Sequence, residues 1–140
     1  MLTLTEMADA VWRIGRCGGL PVFADGDNGH GNTTKVRRTV QQFEKAGAAS
    51  LMLEDRVSLT RCGHISGKRV VPADEFVAKI KAAVDARRDP DFTILARTDA
   101  IAVHGLSEAV DRARMCLDAG LTGHFSRHRR ISSECDRSRI

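Results

Sequence analysis

Three short apolar runs recur along the chain, and each ends in a burst of charged residues or glycines. Leu20-Pro21-Val22-Phe23-Ala24 leads into Asp25-Gly26-Asp27-Asn28-Gly29-His30-Gly31. Ser50-Leu51-Met52-Leu53 leads into Glu54-Asp55, and Phe92-Thr93-Ile94-Leu95-Ala96 into Arg97-Thr98-Asp99-Ala100. Such runs are too short for helices, and their near-continuous apolar character marks strands buried on both faces. Segments of helical period separate them. Thr3-Leu4-Thr5-Glu6 has capping-box spacing ahead of Met7, Ala10, Val11 and Ile14, and Gly18 and Gly19 after Cys17 supply a left-handed stop. A second helix is opened by Asn32, Thr33 or Thr34, carries Val36, Val40 and Phe43 on its inner face and stops at Gly47. Pro72 begins a third, with the stripe Phe76, Val77, Ile80 and Val84, which Asp89-Pro90-Asp91 breaks. Ser107 caps a fourth, running through Val110, Ala113 and Leu117 to Gly120.

Buried strands alternating with amphipathic helices form the α/β pattern, a parallel sheet built from right-handed crossover units. The order here is one helix and then three strand–helix units. A fourth strand is due after Gly120, but residues 122–130 hold one aromatic residue and no β-branched run. The body is therefore assigned to residues 1–122, and residues 123–140 to a basic tail expected to be disordered. The tail's composition resembles no part of the body, which fits either a truncated or frame-shifted reading of a longer gene or a purposeful basic tail.

Length and charge narrow the function. At 140 residues with 42% apolar content the chain supports one domain with a real core. No run approaches the roughly 20 apolar residues of a membrane span, and the N-terminus lacks the basic and apolar regions of a secretion signal. A cytoplasmic location and no membrane partner are expected. Cys17, Cys62, Cys116 and Cys135 form no Cys-x-x-Cys pair, so neither a zinc nor a redox motif is signalled. The net charge of +4 belongs mostly to the tail, where five arginines stand against two acids after residue 123. The body is nearly balanced, which argues against a nucleic-acid partner.

All the chemistry-bearing residues fall where the strands end, the place at which parallel α/β units hold their ligands. Asp25 and Asp27, at positions i and i+2, can lean toward one hard cation, with magnesium the natural choice; the alternative is an Asx-rich turn without metal. Glu54, a third acid at the next strand end, favours the metal. Arg61-Cys62-Gly63-His64 lies in the long loop after the second strand. A thiol beside arginine and histidine has a lowered pKa and can act as acid or base, whereas Cys116 on an apolar helix stripe reads as a core residue. Arg97 suits either a structural pair with Asp99 or a grip on a substrate carboxylate.

Together these residues resemble the isocitrate lyase and phosphoenolpyruvate mutase superfamily, magnesium-dependent (β/α)8 enzymes of 2-oxo and 2-hydroxy acids. The loop from Pro21 to Asn32 looks like its Asp-x-Asp-x-Gly-x-Gly-Asn metal loop, and Leu53-Glu54-Asp55 like its acidic strand end. Arg61-Cys62-Gly63-His64 resembles the lyase signature Lys-Arg-Cys-Gly-His, and Ala96-Arg97-Thr98-Asp99-Ala100 is identical to a family strand motif. Three departures stand out: Thr60 where the signature has lysine, Arg56 where glutamine is usual, and His30 where an aromatic residue is usual.

The resemblance implies a partial TIM barrel, three βα units preceded by one helix. It implies magnesium held by Asp25, Asp27 and Glu54, catalysis by Cys62 and Arg97, and a carboxylate pocket lined by Gly63, His64 and Arg97. The implied reaction is carbon–carbon cleavage of a small 2-hydroxy or 2-oxo di- or tricarboxylate such as methylisocitrate or isocitrate. The alternatives are a carboxyphosphonoenolpyruvate phosphonomutase-like rearrangement and an inactive remnant of the barrel. Full-length relatives are expected to be homo-oligomeric. A three-stranded piece, with two open edges and an uncovered face, is expected to self-associate and to turn over poorly.

Overall fold

The computed structural model describes residues 2–57 and 69–121 and the backbone of residues 123–126. Its elements are α1 (Leu4–Gly18), β1 (Val22–Asp25), α2 (Thr33–Lys45), β2 (Ala48–Glu54), α3 (Ala73–Ala86), β3 (Thr93–Thr98), α4 (Ala100–His104), α5 (Leu106–Asp118) and β4 (Gly123–Ser126). Local chemistry explains most boundaries. Thr3 and Glu6 close a capping box on α1, the Glu6 carboxylate accepting from the Thr3 amide at 2.7 Å, and Gly19 ends the helix at φ 59°. Asn32 caps α2 by accepting from the Lys35 amide at 3.1 Å. No described helix is long and apolar enough to cross a membrane.

The four strands are parallel and adjacent in chain order, β1-β2-β3-β4. This is the strand order of a (β/α)8 barrel, with part of the circle present. The fourth strand, which composition did not support, is therefore formed. Gly123–Ser126 pairs with β3, Leu95 opposite Gly123 and Thr98 opposite Ser126, so the sheet runs past the boundary drawn at residue 122. A parallel ladder is made of backbone groups, and a four-residue edge strand beside a well-packed neighbour does not need the β-branched residues a pattern search looks for. The expectation of disorder for residues 127–140 lies outside the described residues.

The strand period of two sorts the sheet into two faces. Ala24, Leu51, Leu53, Ile94 and Ala96 belong to the core, packed with Val36, Val40 and Phe43 of α2 and Phe76, Ile80 and Ala83 of α3. Their neighbours in the pairing register, Phe23, Asp25, Met52, Glu54, Leu95 and Arg97, lie on the other face, toward the inside of a barrel.

The last helical unit departs from its sequence reading. A five-residue helix precedes α5, and the N-cap of α5 is Gly105 at φ 92°, with no side-chain cap; Ser107 sits inside the first turn. The left-handed glycine swings the chain directly from one helix into the next, leaving no extended residue for Ser107 to occupy. The buried residues of α5 are Ala109, Arg112 and Cys116, whereas Val110 is 38% and Leu117 51% exposed. The helix is turned toward a polar partner of Arg112 and away from its own apolar stripe.

Candidate active site at the strand ends

The β1–β2 ladder continues beyond the strands as a loop. The Gly26 amide donates to the Met52 carbonyl and the Glu54 amide to the Asp27 carbonyl, each at 2.8 Å. Asp25 Oδ1 accepts from the Asp27 amide at 2.9 Å. Asp27 and His30 adopt φ of 48° and 59°, and Gly29 φ of 83°. A Cβ on Gly29 would lie 2.5 Å from Val36 Cγ2, so glycine is required here both by the sign of φ and by the approach to α2. Asp25 is exposed and Asp27 half-buried, and among the described residues neither makes an ion pair.

Glu54 ends β2 directly opposite Arg97 of β3, and cross-strand neighbours on one face touch. Arg97 Nη1 stands 3.4 Å from Glu54 Oε2, and Arg56 Nη1 3.4 Å from Glu54 Oε1. The Nε of Arg56 is 3.7 Å from Asp99 Oδ2. Glu54, Arg97 and Asp99 are all buried. Burial pushes the Glu54 carboxyl above the ordinary carboxylate range. Arg97 and then Arg56 pull it back, but Asp25 and Asp99 push it further up. The rise therefore comes chiefly from burial, with the two arginines opposing it and the two acids adding smaller contributions. The partner of Arg97 is thus Glu54 and not Asp99: Asp99 follows the end of β3 at φ −99° and ψ 7°, out of the strand geometry that aligns Arg97 with Glu54.

Asp55, one residue beyond Glu54, serves a different purpose. It is fully buried and accepts from Thr98 Oγ1 at 2.5 Å, the Asp99 amide at 3.0 Å and Arg112 Nη1 at 3.3 Å. The same Arg112 nitrogen donates to the Val71 carbonyl at 2.8 Å, and Arg112 Nε to Glu108 at 2.9 Å. This network ties the ends of β2 and β3 to α5 and sets where the Arg97–Asp99 segment lies. Sequence reasoning missed Arg112 and gave Arg56 no role. The available signal for Arg112 was an arginine three residues after Ala109 and four before Cys116, on one helix face.

Four of the predicted site residues, Asp25, Asp27, Glu54 and Arg97, thus gather at the carboxyl ends of β1, β2 and β3. Cys62, Gly63 and His64 lie outside the described residues. Cys17 is exposed and Cys116 buried, its thiol pushed up to about 11 chiefly by burial, with Asp55 adding to the rise and Arg112 opposing it. The oxygen donors suit a hard cation, and the buried Asn28 Oδ1 in the same loop has no hydrogen-bond partner. Among the described residues, however, no three acids, histidines or cysteines are gathered tightly enough to form a closed metal cluster. Glu54 is held by its arginines, whereas Asp25 and Asp27 make no ion pair among the described residues.

A family model described as phosphoenolpyruvate phosphomutase matches residues 1–135. The 2,3-dimethylmalate lyase of Eubacterium barkeri is 48% identical over 120 residues, covering 86% of this chain and 42% of that protein. A probable 2-methylisocitrate lyase of Corynebacterium glutamicum is 46% identical over 136 residues, covering 97% of this chain and 44% of that protein. The chain thus spans less than half the length of these curated relatives. A crystal structure of 2,3-dimethylmalate lyase superimposes with a TM-score of 0.89 at 38% identity, covering 98% of this chain and 46% of that one. Phosphonopyruvate hydrolase in complex with oxalate and magnesium does so with a TM-score of 0.84 at 30% identity, covering 96% and 46%. With the strand order, the acid and arginine pairing at the strand ends and a match over nearly the whole length, the chain belongs to the phosphoenolpyruvate mutase/isocitrate lyase superfamily.

Proposed function

We propose that this chain carries the metal-binding and carboxylate-binding half of a cytoplasmic carbon–carbon lyase that acts on a small 2-hydroxy di- or tricarboxylate of the methylisocitrate type. The observation that carries this reading is the arrangement at the strand ends: Asp25 and Asp27, without an ion pair among the described residues, stand beside a buried Glu54 that two arginines hold. Two carboxylates in one strand-end loop with no cation of their own among the described residues suit a hard divalent ion. Asp25 and Asp27 would hold magnesium directly and Glu54 through water. Bound there, the ion would provide a counter-charge to an oxygen on which negative charge develops.

The chain's own residues would do the rest. Arg97, fixed against Glu54, presents a planar cation on the inner face for a substrate carboxylate, and its buried Nε has no hydrogen-bond partner. Gly63 and His64 would line the same carboxylate pocket. Cys62 would deliver a proton to the carbon of the enolate that leaves when the carbon–carbon bond breaks. Four strands supply only part of a barrel mouth, so turnover by the isolated 140 residues is expected to be weak and binding is the sharper test.

Thermal unfolding measured with magnesium, and then with magnesium plus oxalate as the carboxylate probe, tests the reading. Magnesium raises Tm, oxalate adds a further rise only when magnesium is present, and Asp25→Ala or Asp27→Ala abolishes both shifts. A Tm that ignores magnesium would remove the metal site and with it the proposed reaction.

A further inference from the structure

The first two turns of α2 carry their charge against the helix dipole. Lys35, Arg37 and Arg38 stand in them, the first turn has no acid, and Glu44 is the first carboxylate on the helix. The partial positive charge of the free amides at a helix start favours anions and disfavours cations. Lys35 and Arg38 are exposed, and neither makes an ion pair among the described residues. Packing nevertheless fixes where the lysine runs. A Cβ on Gly31, at φ 141°, would lie 2.6 Å from Lys35 Cδ, so the lysine stem passes over a glycine that leaves it room.

These side chains border a cavity of about 280 Å³ between the start of α1 and the first turns of α2. Lys35, Arg38 and Thr39 form its α2 wall at helical spacing, and Thr5 of α1 and His30 of the strand-end loop also line it. His30, held at φ 59°, keeps Nε2 buried without a hydrogen-bond partner, and a buried orphan nitrogen marks a place where a partner is missing. Thr39 Oγ1 is committed to the Lys35 carbonyl at 3.0 Å. The Glu6 carboxylate is closed onto Thr3 in the capping box, and no acid is among the described residues that line the cavity. Thr5 and the two cations therefore remain as its binding groups.

We infer that this cavity is a second binding site, separate from the strand-end acids, for the phosphate group of a small phosphorylated metabolite. A phosphate monoester carries about two negative charges at neutral pH, which two unpaired cations match better than they match a single carboxylate. Lys35 supplies a point charge, Arg38 a planar fork and Thr5 a hydroxyl. The volume sets the size of the ligand. It lies just below the about 300–1,000 Å³ of ordinary small-molecule sites, so it suits a phosphate on a short carbon chain and not a nucleotide. A bound anion also answers the helix, because it sets negative charge beside the cations at the start of α2 and offsets what their position costs. None of Asp25, Asp27 and Glu54 lines the cavity. The assignment therefore does not depend on the proposed reaction.

Thermal unfolding of the 140-residue chain in EDTA, at constant ionic strength, tests the site with glycerol 3-phosphate, inorganic phosphate and acetate. Glycerol 3-phosphate raises Tm saturably and at concentrations about tenfold lower than inorganic phosphate, whereas acetate leaves Tm unchanged. Lys35→Gln and Arg38→Gln each raise Tm without any anion, because they take a cation from the helix start, and each removes the glycerol 3-phosphate shift. Arg37→Gln removes the same charge from the same turns but from outside the lining, and it keeps the shift. A Tm indifferent to glycerol 3-phosphate, or equal responses to all three anions, would overturn the site. So would a shift that survives in the Lys35→Gln, Arg38→Gln double variant or is lost equally in Arg37→Gln.

Discussion

Replacing Arg112 with methionine isolates the network behind the strand ends. The substitution keeps most of the side chain's length, so packing against Ala109 and Cys116 on the buried face of α5 is largely preserved. What disappears is the cation 3.3 Å from the fully buried Asp55 and the donor 2.8 Å from the Val71 carbonyl. Asp55 keeps Thr98 Oγ1 and the Asp99 amide but loses its only ion-pair partner among the described residues. Breaking a buried pair on one side costs about 3–5 kcal/mol, because the remaining charge stays desolvated. Set against a total of about 5–15 kcal/mol for a domain, the variant keeps only a fraction of its stability. The Glu108 contact adds little, since that carboxylate is partly solvated. Urea unfolding followed by circular dichroism, at one fixed protein concentration because association adds to apparent stability, reads the loss. Arg114→Met, on a well-exposed pair with Asp111 at 3.6 Å, is the control and changes stability by about 0.5 kcal/mol or less. Asp55→Asn combined with Arg112→Met should cost less than the sum of the two single changes, as expected for groups in contact. A loss from Arg112→Met no larger than that from Arg114→Met, or strict additivity in the double variant, would refute the role given to the network.

Two further outcomes follow from the site's supports. The Cys116 thiol, raised from 9.0 to about 11, stays protonated in the fold at a pH where the unfolded chain has lost its proton, so its contribution is full below pH 9 and disappears as pH rises toward 11. That amounts to about 2–3 kcal/mol at the alkaline end. Unfolding free energies measured from pH 7 to 11 should fall more steeply for the native sequence than for Cys116→Ala, and parallel curves would contradict it. Gly29→Ala combines a left-handed φ with a 2.5 Å approach to Val36 Cγ2, and should destabilise by about 2–4 kcal/mol. In a denaturant titration an effect below about 1 kcal/mol would show that the loop relaxes around the methyl group.

Much of this architecture is legible because short-range chemistry determines it. The capping box of Thr3 and Glu6, the left-handed Gly19 and the Asn32 cap each act within three or four residues, and each is formed. The apolar runs likewise specify strands without reference to any partner. Errors arise where one element's geometry is decided by another. From its own sequence α5 presents Val110, Ala113 and Leu117, yet it buries Arg112 and Cys116, because the charge of Asp55, just beyond β2, orients the helix more strongly than its apolar stripe does. Arg97 and Asp99 are near in sequence, yet the register of β3 against β2 places Glu54 opposite Arg97. Register belongs to the sheet and cannot be read from a single strand.

The adjacent acids Glu54 and Asp55 show how a site is built from this alternation. At the end of a strand, consecutive side chains leave on opposite faces, so two neighbouring carboxylates enter different environments. Asp55 goes to the helix side and meets Arg112, Thr98 and a backbone amide, a closed set in which each donor has its acceptor. Glu54 goes to the inner side with Arg97 and Arg56, where burial raises its carboxyl, the two arginines oppose the rise, and Asp25 and Asp99 add smaller contributions to it. The first carboxylate is spent on holding strands and helix in place. The second pairs with Arg97 on the inner face, and the first, by fixing Thr98 and Asp99, helps to hold Arg97 there. A substitution at Asp55 should therefore affect ligand binding through the position of Arg97 and Asp99, although Asp55 itself lies on the far face of the sheet from any substrate.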